Sequence, residues 1–372
     1  MTWLFLSLGL SQAFAARDVA VRHIGAMIDP SGNSAHIVGQ DEAYSVSLGK
    51  SVLWLYGDTF YGRRRPDGKP DVEGAVTNSS ALTTDQDASD GISGFMPLVD
   101  ANDNPRAVLP YDPTEKPANL RLWPGHGIKI GSKIYLYYSL IDITGPGEWD
   151  FTHAGQGLAV GEDPHQPFTR LKWKDRFDFW QRHEPRFGVA VIEGKDGMIY
   201  VYGRHEEKPN ALHLARVKPD DIGRLDAYEY LSSTKTASWT TELSSAAAIF
   251  TDAPPEASVS FNQYLGQFMM LYSRLMENDV VIRTAPHAWG PWTHPRAIYH
   301  CKPSKPDAFC YAAKEHPEYN TGDGRRIYFT LVDSGEAEGG VPELFEATFR
   351  PTPAPTTTDR AHRKPHENQL TR

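Results

Sequence analysis

The sequence predicts an all-β fold, a five-bladed β-propeller, and three observations carry that prediction. Val, Ile, Tyr and Phe recur with period 2 along the chain, whereas no 3.6-residue apolar stripe of helical length occurs. One strand pattern is repeated five times, at Ser51–Gly57 (SVLWLYG), Lys133–Ser139 (KIYLYYS), Met198–Gly203 (MIYVYG), Gln267–Ser273 (QFMMLYS) and Arg326–Leu331 (RIYFTL). Each copy sits in the same local context, between a turn signal and a further strand-like run.

The turns before the repeats are Gly49-Lys50, Gly131-Ser132, Asp196-Gly197, Leu265-Gly266 and Asp323-Gly324. Short strands precede them, such as Tyr44–Leu48, Ile128–Ile130, Val189–Glu193 and Val259–Asn262, so each unit opens with a β-hairpin. A third run follows at Ser79–Thr83, Gly157–Val160, Ala211–Val217, Val280–Thr284 and Leu344–Phe349. With Leu53, Ile134, Ile199, Phe268 and Ile327 as markers, the units are spaced by 81, 65, 69 and 59 residues. That is long for a propeller repeat but fits four strands with long loops. A β-sandwich with hairpins of chance similarity is the competing architecture.

Domain organisation follows. Met1–Ala15 carries an apolar stretch ending in Ala13-Phe14-Ala15, the small-x-small pattern of a signal-peptidase site, and predicts export to a secreted or periplasmic location. Its lack of Lys and Arg leaves an apolar N-terminal strand of a cytosolic protein as the alternative. Residues 18–350 form one propeller domain, and residues 351–372, with Thr356, Thr357 and Thr358 followed by mixed charge, read as a disordered tail. No later segment approaches the roughly 20 apolar residues that span a bilayer. A net charge of −9 and no Lys or Arg run longer than Arg63–Arg65 argue against a nucleic-acid partner. Cys301 and Cys310, the two cysteines, are close enough to close a small disulfide ring in an oxidising compartment, and nothing near them resembles a zinc motif. A monomer is expected.

In a propeller the first strand of each blade starts at one face and the second returns to it. Residues flanking these hairpins therefore gather at one mouth: Asp41, Glu42 and Asp58; Trp123 and His126; Glu184, Arg186 and Arg204; Glu256 and Arg274; Glu315, His316 and Asp333. Acids, cations and aromatics together suit glycoside hydrolysis, which needs one carboxylic acid to protonate the leaving oxygen and a second carboxylate at the anomeric carbon. Asp41 and Asp58 flank a single hairpin and form the leading catalytic pair; Glu184 and Glu315 are further candidates. Trp123, His126, Arg204, Arg274 and His316 are candidates for holding substrate, and Trp54, Tyr61 and Trp149 for stacking on sugar rings. The competing role for Asp58 is to accept the amides of Thr59 or Phe60 in a turn. The reading requires no cofactor and no metal, although channel carboxylates are of the kind that hold a structural calcium ion. Asn78-Ser79-Ser80 is a formal glycosylation sequon.

These motifs carry a resemblance. Asp41–Val46 (DEAYSV), Leu55–Phe60 (LYGDTF), Asn78-Ser79, Gly197–Gly203 (GMIYVYG), Trp289–Trp292 (WGPW) and His316–Glu318 (HPE) resemble the secreted propellers grouped as domain of unknown function 4185. The resemblance spans roughly residues 18 to 350. That family includes endo-D-arabinanases, and its fold is similar to the five-bladed arabinanase and fructosidase families. The resemblance implies a glycosidase of furanose-rich polysaccharide, with its carboxylates where Asp41 and Asp58 fall. The chain departs from the pattern at Asp41-Glu42, where relatives have Asp-Gly, and at Phe187-Gly188, where relatives have Trp-Gly. Two other functions remain open: a saccharide-binding propeller without turnover, and a structural or interaction propeller of the envelope with loops 61–76 and 140–155 plugging its mouth.

Overall fold

Each of the five repeated segments lies inside a sheet with apolar layers on both sides, which is why its residues alternate between two sets of partners. In a computed structural model that describes residues 19–29, 32–147, 149–206, 210–274, 277–335 and 340–350, the strands run in chain order. They are β1 (Val19–Ala26), β2 (Ile37–Gln40), β3 (Tyr44–Ser47), β4 (Val52–Tyr56), β5 (Thr59–Arg64), β6 (Pro70–Val76), β7 (Ser79–Thr83), β8 (Met96–Pro97), β9 (Leu120–Ile130), β10 (Lys133–Ile143), β11 (Phe151–Gly161), β12 (Thr169–Arg170), β13 (Asp178–Gln181), β14 (Arg186–Glu193), β15 (Ile199–His205), β16 (Ala211–Val217), β17 (Glu229–Ser233), β18 (Ser238–Thr240), β19 (Ser258–Asn262), β20 (Gln267–Arg274), β21 (Asp279–Ala285), β22 (Arg296–His300), β23 (Cys310–Glu315), β24 (Arg326–Asp333) and β25 (Glu343–Phe349). The expected signal peptide (1–15) and tail (351–372) lie outside the described residues.

Five sheets are built alike, in the orders β3-β4-β7-β8, β9-β10-β11-β12, β14-β15-β16-β17-β18, β19-β20-β21-β22 and β23-β24-β25-β1. The five repeats are β4, β10, β15, β20 and β24, each the second strand of its sheet. The last sheet takes its outer strand from the other end of the chain, with β1 antiparallel to β25 and Val19 opposite Phe349. A sixth, three-stranded sheet, β2-β5-β6, is an addition that the repeat did not predict. Residues 61–76, expected as a plugging loop, are largely the β5–β6 hairpin of this sheet, so their backbone is paired.

The alternation now has a physical cause. Leu53 and Leu55 of β4 pack with Ile134 and Leu136 of β10, while Trp54 and Tyr56 turn to the other side, against Tyr328 and Leu344. Tyr137 joins Val191 and Val201; Tyr202 joins Met270 and Val281; Met269 and Leu271 join Ile327, Phe329 and Phe345. Each of these apolar clusters lies between two successive sheets, and one lies between the last sheet and the first. Burying one such side chain contributes about 1.5–3 kcal/mol, so both faces of every second strand count towards stability. Trp54 belongs wholly to this core at 0% exposure, which corrects its expected role as a sugar platform.

First strands of neighbouring sheets lie side by side: β3 contacts β9, β9 contacts β14, β14 contacts β19 and β19 contacts β23. Between the two ends of that series, Ser45 Oγ of β3 and His316 Nδ1, next to β23, are 2.7 Å apart. Three of these strands depart from regular pairing in the same region, with register shifts opposite Gly125 and His126 in β9, at Gly188 and Val189 in β14, and at Ala312 and Ala313 in β23. Gly188 has φ +117° and a Cβ there would stand 2.4 Å from Tyr137 Cβ, so only glycine allows β14 this close to its neighbour. Asn78, the formal sequon, is fully buried and accepts the Leu109 amide at 2.7 Å, so it belongs to the fold rather than to a glycan.

Candidate active site

The first hairpin does what its sequence predicts for Asp41 and Asp58. Asp41 precedes β3 and Asp58 follows β4, and the backbone ties them together: the Asp41 amide donates to the Asp58 carbonyl and the Gly57 amide to the Asp41 carbonyl, each at 2.9 Å. Both residues line a cavity of about 650 Å³. Gly125, Gly188 and Ala312, from the three bulged strands, line it too, so the bulges open the space into which the side chains project.

Asp41 Oδ1 accepts the Tyr311 hydroxyl at 2.6 Å and the Glu42 amide at 2.7 Å. Burial pushes its carboxyl up to about 7 against the pull of the Tyr311 bond, with Glu256 and Asp58 raising it further. Asp58 Oδ1 accepts the indole N–H of Trp123 at 3.2 Å rather than a turn amide. Burial raises it to about 6, opposed mainly by that indole bond. Glu42, with φ +57° and 8% exposure, is pushed well above the carboxylate range by burial and then by Glu256. Glu256 is ion-paired with Lys314, whose side chain is 1% exposed and whose Nζ lies 4.3 Å from the centre of the Tyr44 ring. Asp41 and Glu42 thus lie near an ammonium already paired with Glu256, and desolvation with repulsion from neighbouring carboxylates favours their protonated forms.

The opposite wall is cationic and aromatic. Arg186 and Arg204 are direct cross-strand partners on β14 and β15. Arg186 Nη1 contacts the His153 ring at Nδ1, 2.9 Å away, and more closely at Nε2, and Arg204 Nη1 donates to Glu206 Oε1 at 3.2 Å. Burial, then Arg186 and Arg204, push His153 down to about 2, so it is neutral. Trp123 meets Phe151 edge-on at 5.0 Å, and Trp149, 63% exposed, lies 5.8 Å from Phe309 across the cavity. Residues 140–155, the other expected plug, supply Trp149, Phe151, Thr152 and His153 to the cavity wall.

Of the nine sequence candidates for catalysis and binding, Asp41, Asp58, Trp123 and Arg204 line the cavity, and the other five do not. Glu184 accepts the Gln181 amide at 2.7 Å and closes its own turn. Glu315, 3% exposed, accepts Ser260 Oγ and Asn320 Nδ2, both at 2.7 Å. His126 Nδ1 accepts the Val191 amide at 2.7 Å, and His316, fully buried, is held between Ser45 and Thr330. Arg274 pairs with Glu277 at 2.5 Å. Tyr61 is likewise outside the lining. Strand counting did place Glu42, Arg186 and Glu256 at the mouth, but it missed Tyr311, His153 and Glu206. Tyr311 follows a predicted disulfide cysteine and precedes the β23 bulge, a signal only register could reveal. Cys301 and Cys310 are joined. Among the described residues no three His, Cys, Asp or Glu side chains are grouped to hold a metal ion, and no helix is long and apolar enough to cross a membrane.

An all-β array of repeated sheets with a polar, aromatic-lined cavity among their first strands defines a propeller-like fold class, and solved structures agree at the level of fold. A Bacteroides ovatus protein classed provisionally as a hydrolase is 18% identical, with a TM-score of 0.65 over 85% of this chain and 87% of its own. A family 43 glycoside hydrolase of Xanthomonas citri is 12% identical, with a TM-score of 0.51 over 87% and 89%. A β-xylosidase/α-arabinofuranosidase of that family from a compost metagenome, solved with xylotriose, is 16% identical, with a TM-score of 0.51 over 88% and 94%. No curated protein matches the sequence. The chain belongs to the family described as domain of unknown function (DUF4185), whose profile matches residues 31–334.

Proposed function

We propose that this protein is an exported glycoside hydrolase, secreted or periplasmic, that cuts an extracellular furanose-containing polysaccharide, with D-arabinan as the first substrate to try. The five large sheets are its five blades; the support is the set of apolar clusters between successive sheets, the last of which joins the final sheet to the first. The observation that carries the reading is the pair Asp41 and Asp58, tied by one hairpin, lining a saccharide-sized cavity and raised to about 7 and about 6.

Asp41, with the higher value, holds its proton near neutrality and gives it to the glycosidic oxygen as the C–O bond breaks. Tyr311 then steadies the carboxylate left behind through the bond already made to Oδ1. Asp58, ionised above about pH 6, supplies the negative charge that the oxocarbenium-like anomeric centre requires, and Trp123 holds it in that form. Trp123, Phe151 and Trp149 offer ring faces to the sugars.

The test is release of reducing sugar from a panel of furanose polysaccharides, D-arabinan first, followed over time by chain length. Early appearance of oligosaccharides supports endo-acting hydrolysis. Binding of a polymer without release of sugar would replace this reading with that of a saccharide-binding propeller.

A further inference from the structure

We infer that the wall carrying Arg186 and Arg204 is an oxyanion-binding subsite, so that the saccharide bound here bears a carboxylate or a phosphate ester beside the bond presented to Asp41 and Asp58. The role of that neighbouring bond rests on the glycoside-hydrolase reading; the anion does not.

Two arginines directly opposite each other on antiparallel strands repel, and such pairs destabilise a sheet unless something compensates. Among the described residues, one carboxylate lies within ion-pair distance of both. Glu206 Oε1 stands 3.2 Å from Arg204 Nη1 and 3.1 Å from Arg186 Nη2, and its side chain is 40% exposed while theirs are 16% and 11% exposed. Arg186 Nη2 is off the hydrogen-bond line despite that distance, and Arg186 Nε and Arg204 Nε also find no acceptor. His153, the other neighbour, is neutral and adds no negative charge. Two largely desolvated guanidiniums therefore line the cavity, and among the described residues one half-solvated carboxylate lies within ion-pair distance of them. Both are pushed below the usual arginine value by burial, the direction expected of cations that are poorly neutralised.

The cavity's other acids among the described residues lie outside ion-pair distance of the two arginines, Glu256 acting on both only from farther off and Asp58 being bonded to Trp123. Glu256 is committed to Lys314, and burial holds Asp41 and Glu42 towards their neutral forms. The position relative to the carboxyl pair is set by Trp123, which donates to Asp58 and meets His153 edge-on at 6.5 Å, with Arg186 bonded to that same imidazole. Guanidinium forks suit planar carboxylates and phosphate oxygens, and in a recess with little water such bonds are strong and selective against the uncharged analogue.

The experiment is calorimetric titration of the intact protein at low salt with glucuronic acid against its methyl ester, and with glucose 6-phosphate against glucose. The two pairs separate the carboxylate from the phosphate source. The expected result is that at least one acid binds about tenfold more tightly than its neutral partner, as for a charge-assisted fork. That preference should shrink as salt rises, vanish in Arg204→Gln and partly return in Arg204→Lys, with thermal melts showing that the variants are folded. Equal binding of acid and neutral partner, no binding of either acid, or a preference that survives both Arg204→Gln and Arg186→Gln overturns the inference. Acid selectivity in a protein that cuts no polymer would leave the subsite standing and remove the hydrolase reading. Cleavage of neutral arabinan without acid selectivity would do the reverse.

Discussion

Asp58 depends on one indole for its charge. Burial raises its carboxyl to about 6, and the Trp123 N–H is the largest opposing influence. Replacing Trp123 with Phe keeps a ring in the wall and removes the donor, so the Asp58 value rises further. The expected outcome is a shift of the acid limb of kcat/KM to higher pH, with a several-fold loss near pH 6 and a smaller one near pH 7; a pH–rate profile checks it. Because Asp41 and Asp58 interact, the limbs belong to the pair rather than to either residue alone. This pair was legible in the sequence because a hairpin returns its ends to one place whatever the tertiary details. Glu315 and His316 were not, because each meets hydrogen-bonding partners that the fold brings to it: Ser260 of β19 and Asn320 of the following turn for one, Ser45 of β3 and Thr330 of β24 for the other.

At the scale of the element, bulges decide which side chains reach the cavity. A one-residue change of register sends a side chain to the opposite face, and β9 and β23 each contain such a change where they border the cavity, while β14 inserts two residues there, Gly188 and Val189. Strict alternation along a sequence cannot see this. His126 turns away to stack on Tyr44 at 5.8 Å, and Ala312 takes φ +58° between Tyr311 and Lys314. The disulfide acts on the same element, since Cys310 begins β23 and is followed by Tyr311, the donor to Asp41. Closing a loop with a sequence separation of 9 contributes about 2.5–3 kcal/mol by the chain-entropy argument. Cys301→Ser and Cys310→Ser should each lower Tm by several degrees. They should also reduce sugar release more than a remote core substitution of equal cost, because Tyr311 loses its anchor. Melting curves and activity with and without reductant measure both effects.

For the whole molecule, the repeat was readable because every second strand is buried on both faces, so the pattern of β4 recurs in β10, β15, β20 and β24. The sheet β2-β5-β6 was not, since it occurs once and has no repeat to betray it. The same burial that stabilises the sheets charges a cost at the cavity. Asp41 has a folded value of about 7 against an ordinary 3.8, so its contribution is fully present below about pH 4 and is lost as pH rises through 7. Asp41→Asn removes that loss. The variant should gain stability relative to wild type between pH 4 and 7, reaching about 1–3 kcal/mol above pH 7 and nothing below pH 4; urea unfolding of both proteins across that range measures it. A variant that is more stable and less active would mark Asp41 as a group held against its own solvation for chemistry. The most direct test of that claim is sugar release from the best polymer of the panel by wild type, Asp41→Asn and Asp58→Asn, each verified as folded. The account predicts that either substitution lowers kcat/KM by at least about a hundredfold, as expected for loss of a general acid or its partner, while polymer binding persists. Substitutions that leave the rate within a few-fold of wild type would contradict it.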